Sequence, residues 1–184
     1  MATAGFANHA SWIAIGLVVA VVMHAALTFL WKWLNPYKSL AVDTNTGTAV
    51  TLYLGAAAAA AIVAGFAGVV IVFAIGSTSR RVRIFRFRAG EALQGAWIAV
   101  VAEPFAATLL GFIAAIVQLT SGRQIAPWFF ELALALLAHG GVLLLWILNH
   151  LMEIVYADDV EADSKDREIS TDSLFPPLPR NKDV

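Results

Sequence analysis

Three ionisable side chains stand where their apolar neighbours leave them few ways to be satisfied: His24, Glu103 and His139, each near the middle of a long uncharged run. A carboxylate in such surroundings is costly, so Glu103 has to be protonated, paired, or turned to a wet cavity, and a histidine at the same depth is the obvious partner. Pro104 follows directly. It lacks the amide that would bond the carbonyl of Val100, and so bends a helix beside an ionisable group, as happens where helices line sites. Two chemistries fit this midplane cluster. One is a buried hydrogen bond that sets helix register and never changes protonation. The other is a proton or ion pathway through Glu103, with His24 and His139 as relay groups. A third possibility is haem b held axially by His24 and His139, although the second histidine pair often found in membrane cytochromes is missing.

His150 and Glu153 are three residues apart on one helical face with Asn149 adjacent, which resembles half of a carboxylate–histidine metal site. Two ligands do not complete one, so no metal is expected. These residues are read instead as a polar cluster with Glu91 and Gln94 at one membrane interface. Arg80, Arg81, Arg83, Arg86 and Arg88 alternate with apolar residues, as in a segment lying among anionic lipid headgroups. An acidic partner surface would share that electrostatic cause; nucleic acid is the less expected ligand. There is no cysteine to act as nucleophile or thiolate ligand. Walker loops, dinucleotide fingerprints, nucleophile elbows and HExxH are also absent, and an enzyme is not expected.

The elements that must position these residues follow from composition. The chain has 184 residues, 60% hydrophobic and 14% charged. Its mean hydropathy is +0.76. The 12 basic and 13 acidic residues are clustered, leaving uncharged runs that bilayer-spanning helices require. Four spans are expected, at about 11–34, 48–76, 92–119 and 127–156. They must be helical, because hydrocarbon offers the backbone no partners. The first has no basic residues before it and is read as retained rather than as a signal peptide.

The basic loop 77–91 should be cytoplasmic, and with an even number of spans both termini join it there. Trp31, Trp33, Tyr37, Tyr53 and Trp128 are then expected in the opposite aromatic belt, with Trp12 and Tyr156 in the cytoplasmic one. Residues 157–184 form an acidic tail, expected to be disordered, in which Phe175-Pro-Pro-Leu-Pro-Arg180 has a polyproline spacing.

Small residues recur at helical spacing. Gly95, Ala99 and Gly111 share a stripe with Glu103; Ala57, Ala61, Gly65 and Gly68 lie along span two. Such stripes let helices touch. The expectation is an all-α, polytopic integral membrane protein of four helices. It would act as a non-enzymatic subunit, assembling with its own copies or with other proteins in a complex, pore or viral membrane. The membrane would be a prokaryotic cytoplasmic membrane or a viral one.

Overall fold

The computed structural model describes residues 10–167, and among them every regular element is helical. Helix α1 spans Ala10–Leu30, α2 Thr46–Gly76, α3 Arg80–Gln118 and α4 Ala126–Arg167; two 3-10 turns, Lys32–Leu34 and Asp43–Asn45, lie in the first connector. Three stretches are long and apolar enough to cross a membrane: Asp43–Gly76, Gln94–Gln118 and Ala126–Lys165. The apolar stretch of α1, Trp12–Thr28, is shorter.

Helix α3 is the centre of the bundle. It packs along both α2 and α4, whereas α1 touches α4 and α3 over a smaller area. Glycine explains how closely α3 is approached from either side. A Cβ at Gly111 would lie 2.8 Å from the Ala57 Cβ of α2, and one at Gly140 of α4 would lie 2.8 Å from the Pro104 Cδ of α3. Only a missing side chain permits these contacts, and the dispersion gained over many close atoms is what holds helices together where water offers no hydrophobic drive.

Three buried layers result. Ala49, Tyr53, Ala114, Ala115, Ala126 and Phe130 fill one end. Ala60, Ala107, Ala133 and Leu136 form the middle, with Ala14 and Leu17 of α1 against it. Ala67, Val70, Ala74, Ala99, Val100, Leu143, Leu144, Ile147 and Leu151 fill the arginine-bearing end. Large apolar side chains such as Ile62, Val72 and Leu145 point outward. A span facing hydrocarbon has no reason to hide them.

Several expectations change here. The basic loop 77–91 is not a loop: only Ser77–Ser79 separates α2 from α3, and the arginines begin the helix. Ser79 caps that helix by accepting from the Val82 amide at 3.3 Å. Its hydroxyl in turn donates to Asp158. The acidic tail does not begin as disorder either, because α4 continues to Arg167. Arg81 reaches Asp158 at 3.0 Å and Glu161 at 2.7 Å, while Lys165–Glu161 and Arg167–Asp163 pair along one face. Residues 168–184, with the proline-containing motif, lie outside the described residues.

On α2 the buried face runs through Ala49, Tyr53, Ala57, Ala60, Ala67, Val70 and Ala74. Ala57 therefore serves packing as expected, but Ala61 and Gly65 face away from the protein and Gly68 is only partly covered. The covered face is itself mostly alanine, at three- and four-residue spacing, while the larger Ile62, Phe66, Val69, Val72 and Phe73 are exposed. Tyr53 belongs to no aromatic belt. It is fully buried, its ring 4.9 Å from that of Phe130.

Candidate functional site: two carboxylate–imidazole pairs on one helix

Helix α4 carries both histidine-linked carboxylate contacts. His139 Nδ1 lies 2.6 Å from Glu103 Oε2, both side chains more than nine-tenths buried. Glu131 Oε1 lies 2.8 Å from His24 Nδ1, and this pair is partly exposed. The first joins α3 to α4; the second joins α1 to α4.

Their depths follow from the helical rise. Glu103 is fifteen residues before the end of α3 and His139 thirteen after the start of α4, which puts each roughly 20 Å from that end of the bundle at 1.5 Å per residue. Glu131 is five residues into α4 and His24 six from the end of α1, about 8 Å in. Glu103 and His139 thus meet at one level of the bundle, while His24 stands at another level with a different carboxylate. Three residues near the middle of their runs do not share a plane when α1 is shorter and ends at Leu30. The same offset, about 12 Å along α4 between Glu131 and His139, keeps the two imidazoles from facing each other across one haem iron.

Local sequence builds the deeper pair. Pro104 is buried against Gly140, whose lack of a side chain leaves room for the proline ring beside Glu103. Thr108 Oγ1 donates to the Pro104 carbonyl at 2.9 Å, the i−4 back-bond of a helical threonine, and so spends its hydroxyl beside the pair. Glu103 Oε1 is buried with no hydrogen-bond partner among the described residues. A carboxyl group beside an imidazole is a cheaper way to hold two ionisable groups in apolar surroundings than either alone.

The outer pair has aromatic walls. Trp128 packs edge-on against both His24, at 5.3 Å, and Tyr37, at 5.7 Å. The Tyr37 phenol, in the first connector, is pushed up to about 12 by burial and then by the negative charge of Glu131. The connector itself is tied down. Gln118 Nε2 donates to the Leu40 carbonyl at 2.8 Å, and Arg123 pairs with Asp43.

The polar group expected at the arginine-bearing end is not assembled as one cluster. Asn149 Nδ2 donates to Glu153 at 3.1 Å, while His150 Nδ1 donates to the Trp146 carbonyl at 3.0 Å and its ring lies 4.3 Å from the Trp146 ring. His150 is thereby spent on its own helix. Gln94 is exposed, and the side chain of Glu91 lies outside the described residues, as do those of Arg86 and Arg88. Arg80 and Arg83 are exposed and Arg81 is held by α4.

Glu131 and Gly140 are the residues that motif reading passes over. Glu131 was visible as a charge just inside a span, and Gly140 as half of a Gly-Gly pair next to a histidine. No group of three or more potential metal ligands occurs among the described residues. Comparison with protein-family models, curated proteins and solved structures finds no match to this chain.

Proposed function

We propose that the chain is a non-enzymatic integral membrane subunit that assembles with copies of itself or with other membrane proteins. In this reading all four helices span the bilayer, the arginine-bearing end and both termini are cytoplasmic, and the carboxylate–imidazole pairs clamp α1 and α3 onto α4. The observation that supports assembly is the outward face of α2. Ala58, Ala61 and Gly65 are exposed, and a side chain added at Gly65 would meet nothing within 4 Å. Small residues facing lipid forgo packing that a neighbouring helix would supply. Ala61→Leu and Gly65→Leu should therefore lower the oligomer or complex mass in mild detergent, while Phe66→Ala, exposed about 100° or more around the helix from both, leaves it unchanged. An unchanged mass after both stripe substitutions would refute the assembly face.

A second reading is favoured by one specific feature, the unpartnered Glu103 Oε1 beside an imidazole, with a second carboxylate–imidazole pair about 12 Å further along the same helix. This is the order of groups a proton relay would use. The test is proton flux into liposomes under a pH gradient. A relay requires flux in the wild type and its loss in Glu103→Gln; flux equal in both proteins, or none in either, excludes Glu103 as a carrier.

A further inference from the structure

At the end of the bundle opposite the arginines lies a pocket of about 360 Å³, walled by Thr28, Lys32, Asn35, Tyr37, Lys38 and Ala41 on one side and by Gln124, Ile125, Pro127 and Trp128 on the other. Its volume is within the range of small-ligand sites. Its chemistry is lopsided. Arg123, close by in sequence, is neutralised by Asp43, but Lys32 and Lys38 have no carboxylate within ion-pair distance among the described residues. Glu131, the nearest acidic residue within α4, pairs with His24 and acts on the Tyr37 wall, but makes no ion pair with either lysine among the described residues. The pocket wall also includes the start of α4 at Pro127, where a helix carries partial positive charge. Asn35 accepts from the Tyr37 amide through Oδ1, which leaves its NH2 group as a donor.

We propose that this pocket binds a phosphate group, carried by an anionic lipid of the leaflet on that side. Two point-like ammonium groups suit a tetrahedral anion whose oxygens accept from several directions. In the same pocket Trp128, Ile125, Pro127 and Ala41 offer an aromatic and aliphatic surface that a free ion would leave bare and a glycerol backbone would cover. The site is held in shape before any ligand arrives, because Gln118 and Arg123 fasten the connector that carries both lysines. Preorganisation of this kind lowers the ordering cost of binding.

The experiment uses delipidated full-length protein with short-chain phosphatidylglycerol, short-chain phosphatidylcholine and inorganic phosphate as separate probes. Binding is read from the Trp128 fluorescence, obtained as the difference from Trp128→Phe. Phosphatidylglycerol should give a saturable change that phosphatidylcholine, whose choline meets the lysines, gives only weakly. Each of Lys32→Gln and Lys38→Gln should weaken it about tenfold, as the loss of one charge-assisted contact does. Lys→Arg variants should retain it, and Arg81→Gln at the far end should not matter. If inorganic phosphate alone saturates the signal and displaces phosphatidylglycerol, the recognised group is phosphate but the lipid source is refuted. No saturable change with either probe, or wild-type binding by the double Lys→Gln variant, overturns the site.

Discussion

Glu103 and His139 show how little freedom an ionisable residue has once its surroundings are dry. Each is tolerable because the other is 2.6 Å away, so removing one takes a charge-neutralising partner from a buried group. Glu103→Ala is expected to cost about 3 kcal/mol, whereas Glu103→Gln, which keeps size and a donor, should cost about 1 kcal/mol. Thermal or chemical unfolding in detergent measures both. A double-mutant cycle with His139→Ala should show coupling, and the same cycle with His24→Ala should show almost none, since His24 belongs to Glu131.

Tyr37 offers a second check. Its raised value of about 12 means that the folded protein favours the neutral phenol. The stabilisation is complete below the usual value near 10 and is lost as pH rises toward 12. Phenolate absorbance should record that late ionisation. Tyr37→Phe should lower its amplitude by one phenol, and Glu131→Gln should move the Tyr37 part of it back toward 10 by deleting a neighbouring negative charge.

Among the elements, α3 and α4 depend on each other at the point where a proline meets a glycine. Any Cβ at position 140 falls 2.8 Å from Pro104 Cδ and 2.9 Å from Cγ, and a buried ring cannot retreat. Gly140→Ala should therefore destabilise by about 1–3 kcal/mol, the usual cost of overpacking. Gly141→Ala, with nothing within 4 Å, should be close to neutral by the same unfolding measurement. Pro104→Ala should recover part of the Gly140→Ala loss, because the two positions share one space. The helices also extend past any bilayer. At 39 and 42 residues α3 and α4 reach about 60 Å, twice a hydrocarbon core, and their projecting turns meet through Ser79, Arg81, Asp158 and Glu161. The Arg81 and Glu161 contacts are open to solvent and screened by it, so they align a hairpin more than they stabilise it.

For the molecule as a whole, the two ends are chemically unlike: arginines and a long acidic helix at one, two lysines and an aromatic-walled pocket at the other. That asymmetry underlies the proposed orientation. The chain contains no cysteine, so single ones can be introduced cleanly. With the arginine end cytoplasmic, cysteines at Thr78 and Lys165 should resist an impermeant reagent added outside cells, and one at Thr44 should react. The reverse pattern inverts the topology, and reaction at Thr78 but not Lys165 would change the number of spans.

The sequence alone determined the all-helical class and the apolar stretches of α2, α3 and α4, because composition and run length settle them residue by residue. It also marked Glu103, Pro104 and His139 as exceptional, since a carboxylate, a proline and an imidazole in apolar runs each need a local remedy. Partner choice came only from the tertiary structure. His24 could not be assigned to Glu131 rather than Glu103 until the shorter α1 set its level against α4, and Tyr53 reads as an interfacial residue until Phe130 is seen beside it. The reach of α3 and α4 beyond the apolar stretch was equally hidden. An arginine-rich or acidic run carries no period that separates a loop from a helix, and only the fold shows these turns side by side, with Arg81 against Asp158 and Glu161, residues 77 and 80 positions apart in the chain.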